Sequence, residues 1–332
     1  MIVIQRYIRL SVVYAVAVAF GATWYIHMSE GPMWNSVVGT EAQNCRRNWW
    51  INLLYLNNYY KVEEMCMPQS WYLAADFQCH VVATLLVVVV WKHPRYAKAV
   101  LAGVLFASVL TSFIQTYVEG LNPLFLLYPQ TGKQVFKDKT FQRAHITFHR
   151  NFGAYLIGVI FGYIYHNTTH TSVKWTKVGH CVMWLVAITA LVFTHLISTV
   201  FYQPSYKHNS LIASLYGCSY SIIIAAAIGT ILTSCALGHG GIINRIASSK
   251  PFQILGRLYY CMYLIHFYVI AVQISSKKEP FDISGPWLTY ITLSVIVMSY
   301  ILAVPLYLLV EMPSSALFKW LLTEGRRNGK QH

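Results

Sequence analysis

Long apolar stretches alternate with shorter polar segments along the whole chain. Eight of these stretches are close to the roughly 20 residues that a helix needs to cross a bilayer, and none alternates with the period of two expected of membrane β-strands. They cover residues 8–26, 71–91, 96–118, 144–166, 178–201, 211–236, 253–274 and 287–310. The pattern therefore predicts an all-α fold, a polytopic membrane helix bundle of about eight transmembrane helices.

The polar segments between these stretches predict the orientation. The two longest, 27–70 and 119–143, would be loops on the same side of the membrane. With the N-terminus inside, most Lys and Arg residues also lie inside, as the positive-inside rule requires. We expect a multi-pass protein of the plasma membrane or an endomembrane, with no separate soluble domain.

Composition narrows the class further. Hydrophobic residues make up 56% of the 332 residues and charged residues only 11%, whereas soluble domains carry about a quarter charged residues. The net charge of +14 arises from basic residues scattered between apolar stretches. A nucleic-acid partner, which needs a basic face, is therefore not expected, and membrane lipids are the predicted partner.

Two polar residues within the apolar stretches are candidates for catalysis. Asp76 lies one turn into the second stretch, where it would orient a cationic partner, or would be an interfacial acid stabilised by the helix dipole. His266 lies in the middle of the seventh stretch, where it would act as a base, or would be a core histidine bonded to a neighbouring helix. Tyr260 and Tyr263 fall on the same helical face as His266.

Basic residues near the ends of the stretches are candidates for anion binding. Arg6 and Arg9 share one helical face and would clamp phosphates, or would only anchor the helix at the inner surface. Arg150 follows His149 near the start of a helix. Glu311 ends the last stretch, where Pro313 is expected to stop the helix.

The cysteines predict one disulfide and no metal site. Cys45 and Cys66 both lie in the first long loop and would pair on the oxidising side of the membrane, or remain as thiols. The other cysteines lie within apolar stretches, where packing is their expected role. Neither CxxC nor HExxH occurs, so no metal is predicted. Gly158 and Gly162 have the spacing of a close helix-packing face.

Several blocks resemble one known family. Residues Cys45–Asn58, Cys66–Gln78, Leu255–His266 and Glu311–Pro313 are similar, in the same order, to blocks of the animal nose-resistant-to-fluoxetine proteins. These proteins belong to the type 3 membrane acyltransferase family. The resemblance runs from about residue 5 to residue 318 and treats 1–332 as a single domain.

The resemblance implies an activity. Members would transfer an acyl group, other than an amino-acyl group, from acyl-CoA to the hydroxyl of a lipid or small-molecule acceptor, with no bound cofactor. The family's paired-arginine element falls on Arg6 and Arg9, which would hold a CoA phosphate. We expect His266 and Asp76 to serve catalysis, and we expect three further residues to contact substrate, namely Arg150, Tyr260 and Glu311.

The resemblance also implies that part of the family's domain is missing from the chain. The family's first core helix carries the proposed catalytic histidine, and this chain would begin at about the third helix, without the lumenal domain of the animal proteins. The chain alone is then expected to lack turnover. The alternative functions are lipid or drug transport through the same bundle, with Asp76 and His266 along the pathway, or a fragment that is unstable alone.

Overall fold

The computed structural model of the chain describes residues 2–128, 135–170, 177–279 and 284–328. These residues form α-helices joined by short 3-10 and π turns, and no strand occurs among them. The helices are α1 Ile2–Thr23, α2 Thr40–Leu53, α3 Trp71–Lys92, α4 Ala97–Glu119, α5 Phe148–His170, α6 Lys177–Val200, α7 Ser210–Ala236, α8 Gly241–Ala247, α9 Lys250–Ser275, α10 Gly285–Leu306 and α11 Met312–Asn328. The predicted all-α fold is confirmed.

Seven helical segments of the described residues are long and apolar enough to cross a bilayer. They are Ile2–Thr23, Pro68–Lys92, Pro94–Glu119, Val178–Val200, Ser210–Ala236, Lys250–Ser275 and Gly285–Trp320. The predicted span 144–166 falls on α5, which has spanning length but carries several polar residues, such as His149, Arg150 and Asn151. The chain is therefore a polytopic membrane protein, as its apolar pattern predicts.

The helices form two compact units. The first comprises Met1–Ala74 and Ser248–His332, and the second comprises Ala75–Ala247. The first contains α1, α2, α9, α10 and α11 with the first turn of α3, and the second contains the rest of α3 with α4 to α8.

In the first unit, α1 and α9 run parallel to each other. The Tyr260 hydroxyl donates to the Leu10 carbonyl at 2.8 Å, and the Tyr268 hydroxyl donates to the Ala17 carbonyl at 3.1 Å. Residue numbers rise in the same direction along both helices, so Tyr260 lies beside Leu10 and Tyr268 lies beside Ala17.

Helix α2 turns back along α1, a feature that the sequence does not predict. Arg46 Nε donates to the Ala22 carbonyl at 2.6 Å, Asn52 donates to the Tyr14 hydroxyl at 2.7 Å, and the Tyr7 hydroxyl donates to the Leu53 carbonyl at 3.1 Å. Position numbers rise along α2 as they fall along α1, so the helices are antiparallel. Segment 27–70, expected as an outer loop, therefore packs deep against a spanning helix.

The last helices continue past the point where a stop is expected. A π turn at Tyr307–Glu311 follows α10, and α11 begins directly at Met312. The prediction that Pro313 ends the helix is wrong. Pro313 has no N–H to donate to the preceding turn. The π turn before it changes the backbone hydrogen-bond pattern locally, so the helix continues past the proline.

The second unit has an apolar core between α3, α4 and α5, formed by Cys79, Ala83, Leu101, Phe152 and Leu156. The glycine at its close helix contact is not one of the two that the sequence predicts. A Cβ added at Gly158 or Gly162 would meet nothing within 4 Å, whereas one at Gly229 would stand 2.5 Å from the Phe161 ring. The expected close face at 158 and 162 is therefore absent, and Gly229 provides the tight approach.

Candidate functional site

A buried carboxylate and an exposed guanidinium form the centre of the candidate site in the first unit. Arg9 Nη2 lies 3.4 Å from Glu311 Oε1, and the Arg9 side chain is 63% exposed while that of Glu311 is 4% exposed. Glu311 Oε2 accepts a hydrogen bond from the Cys261 thiol at 3.2 Å. A buried carboxylate is costly unless it is paired. The ion pair with Glu311 therefore holds the Arg9 guanidinium in place.

Three of the predicted substrate-binding residues meet at this place. Tyr260 precedes Cys261 on α9 and donates to the backbone of Leu10, next to Arg9 on α1. Glu311 joins them because the π turn that follows α10 directs it to both helices. Arg6 lies one turn before Arg9 and is half-buried. The sequence missed the role of Cys261, whose thiol holds the second carboxylate oxygen.

His266 lies farther along α9, about 9 Å from Tyr260 at the usual helical rise. Its Nδ1 is 2.6 Å from the Tyr263 carbonyl. A carbonyl oxygen only accepts, so Nδ1 carries the proton of the neutral ring and Nε2 carries the lone pair. The Tyr263 hydroxyl in turn donates to the Gln69 carbonyl. In the neutral form of this half-buried imidazole, Nε2 is therefore the nitrogen that can accept a proton.

A buried amide network supports the same unit and was not predicted. Asn52 donates to the Tyr14 hydroxyl and to the Cys66 carbonyl, each at 2.7 Å. Asn57 donates to the Ser70 hydroxyl at 2.8 Å. The available signal was the four-residue spacing of Asn48 and Asn52, which places them on one face of a helix, and both are buried in the structure.

Cys45 and Cys66 form a disulfide in the described structure, with an S–S distance of 1.99 Å. The carboxylate of Glu41 lies within 4.8 Å of both sulfurs. Three such groups resemble a metal site, but a cysteine binds a metal as a thiolate, and these two sulfurs are bonded to each other. The donor set in this oxidation state does not fit a cation.

Glu41 is instead a proton site. It is buried, and its Oε1 accepts from the Met67 N–H at 2.6 Å. Burial raises the pKa of Glu41 from 4.5 to about 7, against the opposing effect of the Met67 hydrogen bond. The folded protein therefore binds this proton more tightly than the unfolded chain does.

We expect a pH-dependent stability from Glu41. Because its folded pKa is raised, its stabilising contribution is complete below about pH 4.5 and is lost as the pH rises towards 7. The difference in thermal unfolding temperature between wild type and Glu41→Gln should therefore change across this window, with wild type losing relative stability at higher pH. Parallel pH profiles for the two proteins would contradict a titrating Glu41.

Asp76 and Arg150 belong to the second unit. Asp76 lies on α3 and is half-buried. Arg150 Nη1 donates to the Ser112 carbonyl at 3.0 Å and to the Thr116 hydroxyl. The contacts described above therefore join three of the predicted site residues, Arg9, Tyr260 and Glu311, while roles for Asp76 and Arg150 stay predictions.

Comparison with known sequences identifies the family. The profile of the family described as an acyltransferase domain matches residues 2–310. The chain belongs to the type 3 acyltransferase family. A Caenorhabditis elegans protein, Nose resistant to fluoxetine protein 6, is 25% identical to this acyltransferase-family chain over 322 residues. The match covers 93% of the chain and 38% of the relative, so the chain spans less than half of that relative's length. No solved structure shows a significant match.

In this acyltransferase-family chain, the described site offers two chemical capabilities. An exposed guanidinium held by a buried carboxylate can donate in pairs to an oxyanion. An imidazole with its Nε2 lone pair available can remove a proton from a hydroxyl. The guanidinium lies on α1 at the level of Tyr260 of α9, and His266 lies about 9 Å farther along α9.

Proposed function

We propose that the chain transfers an acyl group from acyl-CoA to a hydroxyl acceptor, with donor recognition at Arg9 and with His266 as the base. This proposal departs from the expectation that a chain without the family's first-helix histidine lacks turnover. The observation that carries the proposal is the pairing of the exposed Arg9 guanidinium with the buried Glu311 carboxylate. Glu311 orients the guanidinium without covering it, so its outer N–H groups face solvent. Arg6, one turn earlier on α1, adds a second cation to the same end of the helix.

The proposed reaction uses the arginines of α1 to bind the donor and His266 of α9 as the base. The CoA phosphates bind Arg6 and Arg9, and an extended pantetheine arm spans the distance to His266. His266 Nε2 removes the proton of the acceptor hydroxyl as its oxygen attacks the thioester carbonyl. The C–S bond then breaks, and the CoA thiolate leaves and takes up the proton from the imidazolium. The acceptor is a membrane lipid or a small molecule that reaches this depth.

Donor binding provides the first test, with coenzyme A itself as the probe. We expect Arg9→Lys to weaken CoA binding about tenfold, because lysine keeps the charge opposite Glu311 but loses the paired donation. The measurement is equilibrium binding of labelled CoA to the purified full chain in detergent. Arg95→Gln, which removes an exposed arginine of the second unit, is the matched control and should bind CoA normally.

A second variant guards against loss of fold. Arg9→Gln combined with Glu311→Gln removes both charges together, so no buried carboxylate is left alone, and CoA binding should be lost in a protein that still elutes as one species. Equal CoA binding by wild type and both variants would refute the donor site. Transfer of label from acyl-CoA to lipid that is unchanged in His266→Ala would refute the base.

The competing proposal is transport of lipids or amphipathic drugs. It is favoured by the half-buried Asp76 on a spanning helix, since intramembrane carboxylates commonly mark transport pathways. The relative's name refers to resistance to fluoxetine. Uptake of a labelled amphiphile that is abolished by Asp76→Asn, with no acylated product, would favour transport over acyl transfer.

A further inference from the structure

Arg150 is enclosed by three helices of the second unit. From α5 its Nη1 donates to the Ser112 carbonyl and the Thr116 hydroxyl of α4. On the other side stands Gly217 of α7, where an added Cβ would lie 2.6 Å from Arg150 Nη2. Any larger residue at 217 would displace the guanidinium. The helices are therefore shaped around this cation.

The charge of Arg150 is not balanced by a carboxylate within the described residues. Its described acceptors are a carbonyl and a hydroxyl, and neither described ion pair includes it. A guanidinium remains charged at any physiological pH. Holding such a cation among helices without an anion is costly, so the arrangement suits a ligand that supplies negative charge.

The guanidinium also keeps donors for such a ligand. An arginine has five N–H groups in a planar fork, and the described hydrogen bonds of Arg150 use only Nη1. Nε and Nη2 together form the edge that pairs with two oxygens of one phosphate or carboxylate. The bonds to α4 thus fix the plane of the fork, and neither Nε nor Nη2 takes part in a described hydrogen bond, while Nη2 packs beside Gly217.

The depth of the site indicates the source of the anion. Ser112 and Thr116 lie in the last two turns of the spanning helix that ends at Glu119, and Gly217 lies near the start of the span Ser210–Ala236. This is the edge of the bilayer, where phospholipid phosphates lie. Large apolar side chains of α4 and α7 are exposed at this same level, as lipid contact requires, namely Ile114, Val118, Leu211 and Leu215.

We propose that Arg150 binds the phosphate of an anionic phospholipid whose acyl chains run along α4 and α7. This lipid site belongs to the second unit and does not depend on acyl transfer at Arg9 and His266. The bound lipid supplies the missing negative charge and links three helices through one guanidinium.

The test measures lipid binding to the purified full chain by native mass spectrometry. Phosphatidylglycerol, phosphatidylcholine and inorganic phosphate are the probes. Wild type should retain one phosphatidylglycerol in preference to phosphatidylcholine, and millimolar inorganic phosphate should not displace it. Arg150→Lys should weaken this binding about tenfold, because a single charge-assisted pair is lost. Arg143→Gln, which removes an exposed arginine nearby in sequence, should bind as wild type does.

Gly217→Ala keeps the proposal testable if Arg150→Lys does not fold. The added methyl displaces Nη2 while preserving every charge, so it should weaken phosphatidylglycerol retention without changing net charge. Equal retention by wild type, Arg150→Lys and Gly217→Ala would overturn the site. Displacement by inorganic phosphate would assign the site to the free anion and overturn its assignment to a lipid.

Discussion

Replacing Asn52 by alanine is expected to lower the free energy of unfolding by about 3 kcal/mol. The substitution removes the donor to the Tyr14 hydroxyl and to the Cys66 carbonyl, and all three groups lie in the interior of the first unit. Each buried polar group that loses its partner costs about 1–3 kcal/mol. The measurement is unfolding of the purified chain in mixed micelles of increasing denaturing detergent.

The control for Asn52 lies on the same helix. Gln43 is an exposed amide of α2, so Gln43→Ala should change the free energy of unfolding by less than about 0.5 kcal/mol. Tyr14→Phe should cost less than Asn52→Ala and should be strongly non-additive with it, because both remove the same hydrogen bond. Additive effects of the two substitutions would show that the bond contributes nothing to stability.

Loss of the Cys45–Cys66 disulfide is the second large effect. We expect the double variant Cys45→Ala/Cys66→Ala to lose about 3 kcal/mol of stability, since the bond closes a loop of 21 residues and restricts the unfolded chain. A thiol reductant should destabilise wild type to the same extent and should leave the double variant unaffected.

The free cysteines provide the control for this experiment. Cys181 is an exposed cysteine that forms no disulfide in the described structure. The variant Cys181→Ala should therefore retain both the stability of wild type and its sensitivity to reductant. Thiol labelling shows whether the reductant has reduced the disulfide. If the wild-type protein is reduced but its stability is unchanged, the covalent link is dispensable. The buried contacts of Glu41 and Asn52 would then hold the segment by themselves.

Sequence reasoning was strongest for the spanning helices. A run of about 20 apolar residues has few structural alternatives in a membrane, so seven of the eight predicted stretches coincide with helical segments of spanning length and apolarity. It was weakest for α2, whose polar residues read as a loop. Those polar residues are buried against α1 by specific hydrogen bonds, and such tertiary pairing leaves no periodic apolar signal.

The candidate site shows the same division. Arg9 and Glu311 stood out as charges at the ends of apolar stretches, but their pairing joins positions 302 residues apart. Nothing local encodes such a contact. The tautomer of His266, by contrast, is set by a carbonyl three residues earlier, and a buried helical histidine commonly finds such a partner. The role of Cys261 could be predicted only once the position of the Glu311 carboxylate was known.

The antiparallel packing of α2 on α1 has a consequence for how the protein is made. Segment Thr40–Leu53 contains charged and amide residues, such as Arg46 and Asn52, so a translocon would not release it sideways into lipid as an independent helix. It must first emerge into water and then fold back along an α1 that is already inserted. Maturation of this region therefore includes a step after translocation, and the disulfide Cys45–Cys66 can lock the returned segment only when that step is complete.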